Sequence, residues 1–380
     1  MSKERRLKLI KHIQEQRNST VVAYALSDRR NAEGSISADA VREIYESLCA
    51  LRPLDKKALD LFICGCGGDT FVPWQLVSMV REMFDLLNVM VPYKALGPAT
   101  MMALGADTII MGEKGELGPV DVDIPFPHDA RQQNGGEVFT AGAADVNGFF
   151  SLLEGLGRVR EKQRIDAFLR TTDSFSPLIL GRINKTVEQA KSECFKLLES
   201  RNRPYRAAAN NKIVARLFSD FSSPNQRISR KEARTYGLKH VRQDDALEPV
   251  IWELWSLYEE EFRSRDPFYP EDVMEESEED EVLFQGHKLA YVECTKRTRV
   301  HQENVKIRRI RENPPDIQFD PQIVLPSIPT DREEVLWPTI QDWLQRNLPL
   351  LIEERMEKFK KSLPTRGYER VHLNKRWADE

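Results

Sequence analysis

The sequence has few of the residues that form disulfides or bind metals. Only six histidines are present, and the number of cysteines, five, is odd. The cysteines lack the paired spacing of a zinc site; they are Cys49, Cys64, Cys66, Cys194 and Cys294. This set supports neither a disulfide framework nor a zinc centre. We therefore expect a protein without a metal site and without a cofactor.

Long apolar segments are also missing. No run of about 18 apolar residues, the length needed to cross a membrane, occurs in the sequence. The first residues, MSKERRLKLIKHIQEQ, are charged from the third to the sixth position and lack the apolar core of a signal peptide. These absences predict a soluble protein of the cytoplasm without a membrane span.

Charge is nearly balanced, with a formal net charge of −4. It is unevenly distributed, because residues 259–281 are acidic and residues 294–311 are basic. A basic segment beside an acidic one is most simply explained by attraction within the chain, so we expect no nucleic-acid partner.

The 380 residues are enough for two domains. Up to residue 245, apolar strand-like runs alternate with helical patterns, as in an α/β domain. The pattern predicts strands at 20–27, 58–65, 89–95 and 107–112, and helices at 4–17, 37–51, 73–87 and 98–105, with mainly helices over 147–221. Residues 246–282 are predicted to be an acidic linker. Residues 283–380 are predicted to be a smaller α+β C-terminal region, with a helix at 332–363 that is interrupted at Pro338 and Pro349.

A glycine-rich turn follows the second predicted strand. In LFICGCGGDT, Gly65, Gly67 and Gly68 lie between this strand and the next helix. Glycines there allow backbone N–H groups to converge on one point, where they bind a phosphate or the oxyanion of an acyl intermediate. The turn matches neither a dinucleotide-binding fingerprint nor a P-loop. The alternative is a tight turn without a ligand.

A second segment, YKALGPATMMALGADTIIMGEKGELGPVDVDIP, spans residues 93–125. Pro98 suits the first position of a helix, which places Gly97 at the N-cap. The later Gly-Pro turn contains Leu117, Gly118, Pro119 and Asp121. We predict that Asp107 binds backbone groups at the start of a strand.

The order of these motifs resembles the serine dehydrogenase proteinase family. This family is related to signal peptide peptidase A and the Clp protease subunit in the crotonase-like superfamily. The similar segments are GCGGD, YKALGPATMMALGAD and LGPVD, flanked by RLKLIKHIQEQRNSTVVAY and QRISRKEARTYGLKHV, and together they cover residues 1–245. The resemblance implies a crotonase/Clp-like spiral of ββα units, an oxyanion-hole-like role for Gly67 and Gly68, a peptide or protein ligand, and a homo-oligomer.

One difference from the family affects the chemistry. The family's nucleophilic serine falls on Gly97, which has no hydroxyl group, and the next residue is Pro98, which has no N–H. At the Clp-like spacing, the basic histidine falls on Val122, while His128 comes too late. Lysines in the later helices, Lys185 and Lys191, match solvated helix faces. The resemblance therefore implies a degenerate peptidase that acts as a peptide-binding or oligomeric scaffold.

Two alternatives stay open. The first is an active peptidase with a displaced nucleophile, either Thr100 or Cys66, although packing suits Thr100 and an inert buried thiol suits Cys66. The second is a crotonase-like enzyme of acyl thioesters, in which backbone N–H groups polarise the carbonyl and Asp121 or Glu116 transfers protons.

Overall fold

A computed structural model describes residues 2–53, 56–120, 123–127, 138–142, 148, 177–219, 226–312 and 333–380. The chain divides into two compact units. Unit 1 comprises Met1–Phe268, Lys288–Gln302 and Arg376–Glu380, and unit 2 comprises Tyr269–His287 and Glu303–Lys375.

The described helices are α1 (Ser2–Arg17), α2 (Asp39–Ala50), α3 (Val72–Met83), α4 (Pro98–Leu104), α5 (Pro177–Glu199), α6 (Ala207–Ser219), α7 (Arg230–Thr235), α8 (Glu248–Phe262), α9 (Pro270–Glu275) and α10 (Glu333–Ser362). The strands are β1 (Thr20–Leu26), β2 (Ala58–Cys64), β3 (Leu86–Val91), β4 (Lys94–Ala95), β5 (Thr108–Met111), β6 (Glu116–Leu117), β7 (Asp123–Pro127), β8 (Val138–Gly142), β9 (Ile228–Ser229), β10 (Val241–Arg242), β11 (Glu281–Cys294), β12 (Arg297–Arg311) and β13 (Thr365–Asp379).

A large sheet with the order β10-β5-β3-β2-β1-β11-β12-β13 provides the centre of unit 1. Its strands β1, β2, β3, β5 and β10 are parallel, and β11 pairs antiparallel with β1. Every residue of β1 is buried, as expected for a parallel strand that is covered on both faces. The α/β class predicted from the sequence is confirmed.

Helices cover both faces of this sheet. Alternate β1 residues such as Val22 and Tyr24 pack into one core with helices α2 to α6. The intervening residues, such as Val21 and Ala23, pack into a second core with α1 and α8. The period-two alternation of a strand thus divides the apolar side chains of unit 1 between two layers.

Short strands after the sheet form ββα units. Strand β3 is followed by β4 and then by α4, while β4, β6 and β9 form a separate small sheet. Two isolated bridges, between Ile36 and Gly68 and between Gly65 and Ala95, extend this second layer. The chain passes more than once from a strand of the large sheet to a short strand or bridge beside it. This arrangement places the glycine turn beside the start of α4.

Residues 246–282 were predicted to be an acidic linker, but they contain helices α8 and α9. Ile251, Leu254, Trp255 and Tyr258 follow helical spacing and are buried in the second core, whereas Glu260 is exposed. The glutamates therefore form the solvated face of a packed helix. The linker was predicted from the number of acidic residues, without regard to the helical spacing of the apolar residues between them.

The C-terminal strands supply residues to both units. Unit 2 contains α9, α10 and parts of β11, β12 and β13. The helix predicted at 332–363 is α10, and both Pro338 and Pro349 lie inside it. The segment EVLFQG, residues 281–286, belongs to strand β11. Strand β13 was not predicted, because its sequence is polar at most positions.

A buried arginine on α1, Arg6, forms ion pairs with carboxylates of other elements in unit 1. The Arg6 guanidinium is inaccessible to solvent and lies 2.9 Å from Glu293 and 3.0 Å from Glu261. Its ion pair with the Glu380 carboxylate, 2.5 Å away, completes the network. A buried cation needs such partners, so these carboxylates hold α1 against the sheet. Within the described residues, no helix is long and apolar enough to cross a membrane.

Candidate functional site

The glycine turn is held by backbone hydrogen bonds on both sides. The Gly65 N–H donates to the Lys94 carbonyl over 2.7 Å, and the Leu96 N–H donates to the Gly65 carbonyl over 3.0 Å. On the other side, the Ile36 N–H donates to the Gly67 carbonyl over 3.2 Å. These bonds fix the turn between the segment after β1 and strand β4.

Gly67 and Gly68 are exposed, and both have positive φ angles, +74° and +124°. A Cβ at Gly68 would lie 2.4 Å from backbone atoms of Ile36, so only glycine fits there. A Cβ at Gly67 would meet no atom of the described residues within 4 Å, its chain neighbours aside. Among the described residues, no acceptor binds the N–H of either glycine. These two amides are available to an external carbonyl or anion.

Gly97 lies at the N-cap of α4 with φ 56° and ψ −118°. A Cβ built on it would lie 3.9 Å from the Gly67 Cα, and among the described residues outside its own chain neighbours Gly67 alone comes within 4 Å. The two glycine motifs found in the sequence therefore meet in space. A side chain at position 97 would extend beside the glycine turn, where this chain has only hydrogen.

Thr100 is fully buried one turn into α4. Its hydroxyl donates to the Ala95 carbonyl over 2.6 Å and accepts from the Gly118 N–H over 3.0 Å. These contacts connect α4 to β4 and to the Gly-Pro turn. They leave the Oγ1 atom no route to a substrate and suit the packing role.

Cys66 is partly buried within the turn. Burial raises the pKa of its thiol above the ordinary value, although the nearby Lys94 ammonium acts in the opposite direction. The thiol therefore stays protonated at neutral pH and is a weak nucleophile.

Lys94 is a cation close to the Cys66 thiol, and the sequence did not single it out. Its Nζ lies 3.2 Å from Asp28 Oδ2. Burial alone would lower the pKa of Lys94, but the charge and hydrogen bond of Asp28 raise it above its ordinary value. A lysine held as a cation cannot accept a proton, so Lys94 supplies positive charge rather than a general base.

The Gly-Pro turn completes the described surroundings. Leu117 is buried and pairs with Ala95, and Gly118 is bound by Thr100. Pro119 is also buried. Asp121 lies outside the described residues, as do Val122 and His128. The described residues contain no group of three or more metal-ligating side chains.

The later lysines lie on helix surfaces. Lys185 is exposed, and the Nζ of Lys191 lies 2.8 Å from Glu188 on the same helix, α5. This arrangement agrees with the solvated helix faces inferred from the sequence.

The parallel sheet with helices on both faces, and the glycine turn beside the glycine N-cap, define an α/β protein with a candidate site at the start of α4. Residues 1–130 match the model of the family described as ClpP-like SDH-type serine proteinase. The resemblance to the serine dehydrogenase proteinase family is confirmed over these residues.

Two curated relatives come from Methanocaldococcus jannaschii. Uncharacterized protein MJ0137 is 32% identical over 31% of this chain and 43% of its own length. Uncharacterized protein MJ1495 is 30% identical over 32% of this chain and 42% of its own length. The chain thus spans less than half the length of these relatives.

Two solved structures were also found, both of mutants of the 1510-N membrane-bound stomatin-specific protease. One of them is in complex with a substrate peptide. They match 60% of this chain and 82% and 77% of their own, with 13% identity and TM-scores of 0.36 and 0.34.

Proposed function

We propose that this protein is a catalytically degenerate member of the ClpP-like SDH-type serine proteinases, which binds peptide segments at its glycine turn without cleaving them. The observation that carries the proposal is Gly97. It lies beside Gly67, at the position where the family resemblance requires a nucleophile, and it has no side chain to attack a peptide bond.

The neighbouring groups do not replace the missing hydroxyl. Thr100 Oγ1 is buried and bound to two backbone partners, and the raised pKa of Cys66 keeps its thiol protonated. Lys94 is held as a cation by Asp28. A displaced nucleophile therefore has less support than the degenerate interpretation.

Peptide binding is supported by the exposed amides of Gly67 and Gly68. The carbonyl of an extended peptide would accept hydrogen bonds from them, and the backbone from Gly65 to Asp69 already forms β-bridges on both sides. In an active relative, the same donors would bind an oxyanion. Here they would hold the neutral carbonyl of an uncut peptide.

The test combines binding and turnover. A random peptide library is passed over the immobilised protein, and retained and cleaved peptides are identified by mass spectrometry. We expect retention without cleavage for the wild type. Gly97→Leu should abolish retention by filling the space beside Gly67, whereas Gly97→Ala, which imposes the same backbone strain with little bulk, should retain peptides.

Cleavage by the wild type that disappears in Cys66→Ala would establish a displaced nucleophile and overturn the proposal. Equal retention by Gly97→Leu and the wild type would show that peptides bind elsewhere. Cleavage gained only in Gly97→Ser would show that a base survives and that the serine alone was lost.

A homo-oligomeric scaffold is the second part of the proposal. Helix α10 in unit 2 exposes large apolar side chains that a partner subunit would cover: Trp337, Trp343, Leu350 and Met356. Sedimentation equilibrium should give an oligomer for the wild type and a smaller species for the Trp343→Glu, Leu350→Glu double variant. A monomeric wild type would contradict this part. Placement in the cytoplasm is likewise proposed, and fractionation of cells tests it.

The acyl-thioester alternative would use the same two amides. Its acid or base would be Glu116, whose Oε2 lies 3.6 Å from the Arg227 guanidinium. This ion pair engages the carboxylate that the alternative needs for proton transfer. Turnover of an acyl thioester that is lost in Glu116→Gln would favour this alternative.

A further inference from the structure

A cavity of about 390 Å³ in unit 1 lies away from the glycine turn. It is lined by residues at the start of β3 (Leu86), just before β5 (Asp107) and just before β10 (His240). Because these strands are parallel, the cavity lies at their amino ends, whereas the glycine turn follows the carboxyl end of β2. The strand length, roughly 15–20 Å, separates the two places.

The lining of this cavity is strongly cationic. Four basic side chains line it: Arg201, Arg203, Lys239 and Arg242. Within the described part of the chain, none of the four forms an ion pair with a carboxylate. Like charges this close repel one another unless an anion joins them.

The one carboxylate in the lining is already occupied. Asp107 Oδ2 lies 2.6 Å from Arg81 and accepts from the Leu87 N–H over 3.0 Å. Its Oδ1 accepts from the Asn202 N–H over 2.8 Å. Asp107 thus neutralises Arg81 and the start of β3, which confirms its predicted role. Asp107 therefore does not neutralise the four basic side chains that line the cavity.

Arg201 is the most informative of these cations, because it is only 6% exposed. Its Nε donates to the Ala106 carbonyl over 2.9 Å, and its guanidinium packs on the Tyr205 ring, 4.5 Å from the centroid. Its Nη1 has no hydrogen-bond partner among the described residues. A buried guanidinium with a spare donor is costly unless a ligand binds it.

His240 supports the same interpretation. Its Nδ1 lies 2.7 Å from the Tyr205 hydroxyl, and the side chain is 5% exposed. Burial, followed by the charge of Arg201, lowers the pKa of His240 to about 3. The ring is therefore neutral at physiological pH, and His240 adds no positive charge to the lining of the cavity.

We propose that this cavity binds the phosphate group of a small phosphorylated molecule. Guanidinium groups match the geometry of phosphate oxygens. Arg201 supplies charge from one segment of the chain, and Lys239 and Arg242 supply it from another. The cavity is larger than one phosphate and falls within the range of small-molecule pockets, so an organic group accompanies the phosphate. This inference does not depend on peptide binding at the glycine turn.

The test is isothermal titration calorimetry on the full chain. The probes are inorganic phosphate, ribose phosphate and adenosine monophosphate, with ribose and adenosine as phosphate-free controls. We expect all three phosphate-bearing probes to bind and both controls to give no heat. Organic phosphates should bind more tightly than inorganic phosphate.

Variants locate the binding. Arg242→Gln and Lys239→Gln change exposed side chains, and each should weaken binding at least about tenfold. Arg201→Met should abolish binding, with circular dichroism to establish that it folds. Arg206→Gln removes an exposed arginine that does not line the cavity and should leave affinity unchanged.

Two results would overturn the proposal. One is no heat from any phosphate probe at millimolar concentration. The other is equal affinity in the wild type, Arg242→Gln and Lys239→Gln, since phosphate would then bind outside this cavity.

Discussion

Two adjacent glycines in the same turn have different structural roles. Gly68 needs its missing side chain, since a Cβ would lie 2.4 Å from the Ile36 backbone, whereas Gly67 faces open space. Both have positive φ angles. The sequence shows the pair as equivalent, and only the position of Ile36 distinguishes them.

We expect Gly68→Ala to destabilise the protein by about 3 kcal/mol or more, because backbone atoms must move. Gly67→Ala should cost only the strain of its φ angle, about 1 kcal/mol. Urea unfolding followed by circular dichroism measures both. An equal loss of unfolding free energy in the two variants would contradict the clash between a Cβ at position 68 and the Ile36 backbone.

The Thr100 hydroxyl serves packing in this structure. Thr100→Val keeps the shape but leaves the Gly118 N–H without its acceptor, so we expect a loss of about 1–3 kcal/mol in unfolding free energy. Thr100→Ser keeps the hydroxyl and should lose less. A greater loss in the serine variant would show that the methyl group matters more than the hydrogen bonds.

At the scale of elements, buried apolar runs were predictable and boundaries were less so. The strands β1 and β2 were found because nearly every residue is apolar. Helix α3 ends at Met83 rather than residue 87, because β3 begins at Leu86. Helix α8 was missed because acidic residues outnumber the apolar ones on its exposed side.

Two tryptophans of α8 test whether this segment is part of the core. Trp255 is 1% exposed and Trp252 is 42% exposed. We expect Trp255→Ala to cost about 3–5 kcal/mol in unfolding free energy, and Trp252→Ala about 1 kcal/mol for its contact with Tyr93. Thermal unfolding distinguishes them. If neither substitution lowered the unfolding free energy, residues 246–282 would be a linker rather than part of the core.

At the scale of the whole molecule, one site was predictable and the other was not. The glycine turn and Gly97 lie in motifs whose order carried the family resemblance. The cationic cavity combines residues near positions 86, 107, 201–205 and 239–242, and each basic residue alone is an ordinary surface charge in the sequence. Only the parallel arrangement of β3, β5 and β10 brings them together.

Buried His240 gives the whole protein a pH dependence. Its pKa of about 3 lies below the unfolded value near 6.5, so the unfolded chain binds a proton first as pH falls. The contribution of neutral His240 to the free energy of unfolding is present above pH 6.5 and is lost as the pH falls from about 6.5 to 3. At pH 5 the loss of unfolding free energy is about 2 kcal/mol.

His240→Gln should flatten this part of the stability profile, measured by urea unfolding from neutral to acidic pH. His12→Gln removes an exposed histidine and should leave the profile unchanged. An identical slope in His240→Gln and the wild type would mean that other groups cause the loss.

The pairing of β1 with β11 also affects biosynthesis. Ala23 pairs with Glu293, about 270 residues later in the chain. A ribosome that adds about 5–20 residues per second completes β1 roughly 15–50 s before its antiparallel neighbour exists. During that interval an apolar strand of the nascent chain has an open edge, which favours pairing with other chains. The edge of β1 that β11 covers in the folded protein therefore stays open until β11 has left the ribosome.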